Sequence, residues 1–228
     1  MAITFYDLCG RDAKRFSPYG WRTRMALAHK GLSYDLELVK FTEKHKLEFS
    51  GQKLVPVIVD GDRVVNDSWA ITEYLEDSYP DRPSLFGGPA GRGMAKAINA
   101  FVNTTIQPLL GPLIIADILE HVDPADREYF DSSRQQRFGR PLAEVQADRD
   151  QKVDGFRKAL EPYRVVVGGQ DFVGGAAPSY ADYVLFGTLQ WARCTSPYGV
   201  VAQDDPIHAW FERVLDLHAG LARGEPAA

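Results

Sequence analysis

The sequence predicts a small α/β layer followed by an all-helical domain, and three observations carry that prediction. Strand and helix signals alternate as far as Tyr79, Pro and Gly concentrate over residues 80–93, and strand signals nearly vanish afterwards. The map that follows is a first domain over 1–80, a linker over 81–93 and a helical domain over 94–228. With 228 residues, 45% of them hydrophobic, each part is large enough to bury its own core.

Taken in order, Ile3-Thr4-Phe5-Tyr6-Asp7-Leu8 is β-branched and aromatic and reads as a strand. Ser17 then suits an N-cap, Pro18 the first helical position and Gly31 the helix end, with Trp21, Met25 and Ala28 at helical spacing. Residues 32–39 alternate as a second strand. Residues 40–53 are polar and lack a period, so they read as loop with at most one weak helix. Residues 55–59 form a third strand, Asp60-Gly61 a hairpin turn and residues 63–66 a fourth. A helix from Ser68 carries Ile71, Tyr74, Leu75 and Tyr79, completing a thioredoxin-like order. Leu85 and Phe86 are too apolar for a free tether and are expected between the two domains. In the second part Asp123-Pro124 and Asp205-Pro206 look like helix starts. Residues 153–167 and 207–217 carry helical apolar stripes, and Pro108 and Pro112 should kink their helix.

Composition removes several function classes. The net charge is −5, with the acidic excess mainly in the helical part, so neither a nucleic-acid footprint nor attraction to anionic membranes is expected. Two cysteines, Cys9 and Cys194, make no disulfide framework and no Cys-x-x-Cys pair, and five scattered His argue against a metal site. No apolar block suggests a signal peptide or a membrane span, so a cytoplasmic protein is expected.

Three local features could carry chemistry. Ser17-Pro18 opens a helix, where backbone N–H groups and the helix dipole favour an anion. A thiolate held there would have a lowered pKa. By itself Ser17 reads first as a cap, a role compatible with donation to a sulfur. Pro56 lacks an N–H and fits a strand edge or bend; a cis Val55–Pro56 bond would turn the Val55 backbone toward a peptide-like ligand, and a trans bond would be ordinary. Asp67 and Ser68 stand where a strand gives way to a helix, as a cap or as holders of an ammonium and a carboxylate.

In this order and spacing these residues are similar to the glutathione transferase family over nearly the whole chain. The likeness extends through Tyr74-Leu75, Tyr79-Pro80 and Leu85-Phe86 to Ser179-Tyr180-Ala181-Asp182, which resembles the capping box of the family's buried helix. The resemblance implies that Ser17 donates to the glutathione sulfur and that Val55, before a cis Pro56, pairs with the cysteinyl backbone. It implies that Asp67 and Ser68 hold the γ-glutamyl end. Lys53 could reach the glycyl carboxylate or be a solvated loop charge. The run from Ser17 through Trp21, Arg22 and Thr23 also resembles the bacterial lignin β-etherases and related fungal transferases, in which glutathione displaces an aryloxy group. Trp21 has a plainer role as packing under the sheet, and Arg22 and Arg24 as charges solvating a helix face.

The resemblance further implies a hydrophobic aromatic small-molecule substrate and a homodimer. A pocket lined by Tyr19, Asn103, Leu109, Leu110, Trp191 and Tyr198 is expected between Ser17 and the helical domain, each of these being open to reading as plain core. Two alternatives stand beside transfer: a non-catalytic ligand-binding protein of the same fold, and a glutathione-dependent thiol–disulfide reductase, which would need a cysteine near position 17.

Overall fold

The structure is a computed structural model and describes residues 3–228. Strand β1 (Ile3–Leu8) alternates buried and half-buried positions, as a strand with one covered face does. Helix α1 (Pro18–His29) starts on Ser17, whose extended backbone and side chain cap it, and the chain turns at Gly31 with φ 62°. Strand β2 (Tyr34–Val39) then pairs parallel to β1. The polar stretch that follows holds one 3₁₀ segment, Lys44–Ser50, pinned by buried Leu47. Strand β3 (Val57–Asp60) runs antiparallel to β1 and pairs with β4 (Arg63–Asn66), giving the order β2-β1-β3-β4. Strand β3 begins two residues later than the apolar run suggests, because Pro56, after a cis peptide bond, has no N–H for the ladder.

Helix α2 (Ser68–Ser78) completes this layer and leads into the Pro/Gly stretch. Leu85 there is fully buried, and its carbonyl accepts the Tyr180 N–H at 2.8 Å. The Phe86 ring lies 5.5 Å from that of Trp69 and 5.9 Å from that of Tyr180, so it bridges the two halves. Burying such a ring contributes about 2–3 kcal/mol. Beneath it, buried Lys30 pairs with Glu76 at 2.6 Å, and Glu76 also accepts the Leu85 N–H at 2.9 Å.

The second half is helical: α3 (Pro89–Phe101), α4 (Gln107–Ile114), α5 (Arg127–Phe138), α6 (Leu142–Gln146), α7 (Arg149–Ala159), α8 (Glu161–Val167), α9 (Tyr180–Thr195) and α10 (Pro206–Gly220). A π-helical turn, Val102–Ile106, joins α3 to α4. Pro108 withholds an N–H from the Thr104 carbonyl within this turn, which suits its wider winding, while Pro112 stands inside α4. The stripe over residues 153–167 is divided between α7 and α8 at Leu160.

Helix α9 is the central rod, buried along almost its whole length. Ser179 and Asp182 form a capping box at its start: the Ala181 N–H reaches Ser179 Oγ at 3.2 Å, and the Ser179 N–H reaches Asp182 Oδ2 at 2.9 Å. Helix α1 lies directly on α9. Their approach is set by Gly187, where a Cβ would fall 2.4 Å from the Pro18 carbonyl oxygen. The start of α1, with Ser17, is thereby seated on the core of the helical half.

Candidate functional site

A cavity of about 450 Å³ opens between the two halves, and Ser17, Tyr19, Lys53, Val55, Asn103 and Trp191 lie along its wall. Ser17 is 6% exposed, and its Oγ accepts the Gly20 N–H at 3.1 Å. Its own O–H has no acceptor among the described residues, so a donor at the positive end of α1 faces the cavity. A serine at this position can both cap the helix and donate to an anion.

Val55 precedes the cis Pro56, and the Pro56 carbonyl accepts the Asp67 N–H at 3.3 Å. Asp67 and Ser68 therefore stand beside the Val55–Pro56 step, one strand further along the sheet and outside the cavity wall. Asp67 has φ 74°, and its carboxylate accepts the N–H groups of Trp69 (2.9 Å) and Ala70 (3.2 Å), capping α2. Ser68 is buried, and its carbonyl accepts from Thr72 Oγ1 and the Tyr180 hydroxyl.

Three of the expected pocket residues lie elsewhere. Along α4 and just beyond it, Gln107, Pro108, Gly111, Pro112 and Ile115 turn to the cavity, a helical face that leaves the two intervening leucines pointing away. Leu110 is fully buried in the core, and Leu109 is 38% exposed over an outer groove. Tyr198 follows α9, gives its hydroxyl to Asp150 at 2.7 Å and lies under the Arg149 guanidinium, so it closes the end of α7 instead.

Neither Arg22 nor Arg24 solvates a helix face. Arg24 is 7% exposed and stacks on Trp21. Arg22 is fully buried, because Gly187 lets α1 sink onto α9. It donates to Asn99 (3.1 Å), Asn103 (2.9 Å) and Thr188 (3.2 Å) and lies 4.7 Å from the centre of the Tyr19 ring. Asn103 thus lines the cavity while committed to Arg22, and Tyr19 gives its hydroxyl to Gln107 at 2.9 Å.

The far wall is the part that sequence reasoning missed. Phe41, in the loop after β2, packs 6.3 Å from Phe16 and 5.3 Å from Phe130 on α5. Buried Asp126 holds that loop by accepting the N–H groups of Phe41 (2.7 Å) and Thr42 (3.0 Å) and the Thr42 hydroxyl (2.5 Å). Arg134 and Arg137 also reach the cavity from α5. The available signal was the recurrence of Phe130, Arg134 and Phe138 at four-residue spacing.

The thiols are poorly placed for exchange chemistry. Burial pushes Cys9 up to about 11 and Cys194 up to about 12, and neither lines the cavity. Among the described residues no group of His, Cys, Asp and Glu gathers as a metal site requires. No helix among them is long and apolar enough to cross a membrane.

Comparison with known proteins gives a consistent result. Residues 93–216 match the family model described as glutathione S-transferase, C-terminal domain, and residues 16–78 match glutathione S-transferase, N-terminal domain. A probable maleylacetoacetate isomerase of Caenorhabditis elegans is 40% identical over 97 residues, 41% of this chain and 45% of that protein. The chain spans about half the length, or less, of the first curated relatives it matches. Among solved structures, glutathione transferase GSTFuA2 from Phanerochaete chrysosporium is 27% identical with a TM-score of 0.76, covering 100% of both chains. A glutathione S-transferase of Ceriporiopsis subvermispora in complex with glutathione has a TM-score of 0.80, covering 96% of each chain. At 22% identity it shows the fold alone.

Proposed function

The chain belongs to the glutathione S-transferase family, and on that premise we propose that it transfers the glutathione thiolate to a hydrophobic aromatic electrophile. The observation that carries this reading is the free Ser17 O–H at the start of α1, facing a cavity with a largely aromatic and aliphatic wall. The Ser17 hydroxyl donates to the sulfur and, with the α1 N-terminus, favours the thiolate over the thiol. Val55 presents its backbone to the cysteinyl unit, Lys53 reaches the glycyl carboxylate, and Asp67 and Ser68 hold the γ-glutamyl end. Tyr19, Asn103 and Trp191 bound the electrophile. Asn103 and Tyr19 are fixed by Arg22 and Gln107, so this wall is rigid before substrate arrives.

The finer reading is aryl ether cleavage. The thiolate attacks the carbon bearing the aryloxy group, a C–S bond forms as the C–O bond breaks, and the phenolate leaves and takes a proton from water. The likeness of the run from Ser17 to Thr23 to the β-etherases supports it. The relative named maleylacetoacetate isomerase supports a second reading, isomerisation, in which glutathione is returned unchanged. A homodimer and a cytoplasmic setting complete the proposal, the former open to sedimentation analysis.

The test is product analysis with glutathione and a panel of β-aryl ethers, aryl halides, epoxides, hydroperoxides and maleylacetoacetate. Phenol release with stoichiometric thioether supports ether cleavage. Turnover of aryl halides alone supports general transfer, and conversion without glutathione loss supports isomerisation. Ser17→Ala is expected to bind glutathione yet lose tenfold or more in turnover. Absence of any glutathione-dependent conversion by the wild type would leave the binding-protein alternative.

A further inference from the structure

The charge of the cavity is out of keeping with the chain. The protein carries a net charge of −5, yet Lys40, Lys44, Lys53, Arg134 and Arg137 line the cavity and, among the described residues, no Asp or Glu does. Three of these cations have evident uses. Lys40 pairs with Asp123 at 2.7 Å, Lys44 donates to the Tyr129 hydroxyl at 2.6 Å, and Lys53 is the residue proposed for the glycyl carboxylate. Arg134 and Arg137 are left over, and both come from α5, in the more acidic half of the chain.

Their placement is built rather than incidental. Phe130, Arg134, Arg137 and Phe138 fall at i, i+4, i+7 and i+8, a single helical face turned to the cavity. The Arg134 guanidinium lies 4.6 Å from the centre of the Phe130 ring and 5.3 Å from that of Phe41. Its polar partners among the described residues are hydroxyls of its own helix, Ser133 Oγ at 2.9 Å and that of Tyr129, and Arg137 has none. Burial, with Arg137 adding to it, pulls Arg134 below its ordinary pKa. A half-buried guanidinium with a like charge beside it and no carboxylate is an arrangement that an incoming anion would relieve.

We infer that the second substrate is an aromatic anion, its ring packed against the cavity side of the Phe41–Phe130 pair and its carboxylate or equivalent group held by Arg134 and Arg137. The inference rests on reading this cavity as the electrophile site, and narrows that substrate class from apolar to amphiphilic. The planar guanidinium suits a carboxylate because two parallel N–H donors match its two oxygens.

Calorimetry with a non-reacting pair tests this: naphthalene-2-carboxylate against naphthalene-2-carboxamide, with S-methylglutathione present at saturation. The wild type is expected to bind the carboxylate at least tenfold more tightly. Arg134→Gln with Arg137→Gln should bring that preference below twofold, and Arg134→Lys with Arg137→Lys should restore part of it. Equal affinities in the wild type, or a preference that survives the double glutamine variant, overturn the inference. A double glutamine variant that loses S-methylglutathione affinity while keeping the preference also overturns it, by assigning the arginines to glutathione. If S-methylglutathione fails to bind the wild type, the glutathione reading falls separately, and the same pair measured without it still decides the arginines' role.

Discussion

Gly20 lies against Asp7 so closely that a Cβ on it would fall 1.9 Å from Asp7 Oδ1. The contact joins the first turn of α1 to the end of β1, next to the Ser17 cap, whose Oγ takes the Gly20 N–H.

Gly20→Ala is therefore expected to destabilise the protein, although alanine in a helix normally contributes about 1 kcal/mol over glycine. Either β1 or the start of α1 must shift, at a net loss of about 1–3 kcal/mol. Adding Asp7→Ala to Gly20→Ala removes the obstructing carboxylate and should recover most of the loss. Urea unfolding of the four proteins of this cycle checks it, and a Gly20→Ala midpoint equal to that of the wild type would sink the idea.

Asp7 also makes stability depend on pH in an unusual direction. Burial raises its carboxyl to about 7, against 3.8 for the ordinary group, although the Leu8 N–H and the charges of Arg15 and Arg24 pull the other way. Between those two values the folded protein holds a proton that the unfolded chain has released. Stability from this group is thus greatest below pH 4, falls as pH rises to about 7, and is level above. Asp7→Asn abolishes that slope, so the variant should gain on the wild type progressively through this window, by at most about 4 kcal/mol. Unfolding free energies at pH 5, 6, 7 and 8 measure it, and parallel profiles would remove Asp7 as the cause.

Asp182 carries more of the helical half than a cap usually does. Besides the Ser179 N–H it accepts the N–H groups of Val173 (2.6 Å) and Gly174 (3.0 Å) and the Trp210 indole N–H (2.9 Å), all at a fully buried position. Asp182→Ala leaves these donors without an acceptor at about 1–3 kcal/mol each, a loss of about 4 kcal/mol or more in total. Ser179→Ala removes one capping acceptor and costs about 1 kcal/mol. Thermal unfolding followed by tryptophan fluorescence should rank them in that order, and comparable losses would show that the Trp210 and loop bonds add little.

What could be read from the sequence was the local chemistry. The Ser17-Pro18 and Ser179–Asp182 starts announce themselves because the capping residue and the helix it caps are neighbours in the chain. The Pro/Gly stretch over 80–93 shows for the same reason where the strand pattern stops, although α3 already begins within it, at Pro89. Arg22 could not be placed this way, since its burial depends on Gly187 lying 165 positions away and lacking a Cβ. Leu109 and Leu110 lie on the helix that borders the cavity, as their place in the chain implies, but the rotation of α4, set by its contacts with neighbouring helices, turns both away from it. The α5 stripe was overlooked because arginines alternating with phenylalanines look like an ordinary solvated helix until the opposite wall is known.

That opposite wall depends on Asp126, the subject of the last prediction. The loop after β2 has few apolar anchors of its own, and Phe41 reaches the cavity because Asp126 takes two backbone N–H groups and the Thr42 hydroxyl. Asp126→Ala removes all three hydrogen bonds at once while leaving the strands and α5 intact, so the effect should be local before it is global. Amide exchange at Phe41 and Thr42 is expected to speed up at least tenfold, while amides of β1 and α9 are unchanged. Overall stability should fall by about 2–4 kcal/mol, since bonds to a charged acceptor contribute about 1.5–3 kcal/mol each and water will satisfy part of what is lost. Asp126→Asn keeps one carbonyl oxygen and should fall between the two. Hydrogen exchange read by mass spectrometry on peptides covering residues 38–46 makes the measurement. Unchanged protection there in Asp126→Ala would mean that the Phe41–Phe130 contact, not the carboxylate, holds the wall in place.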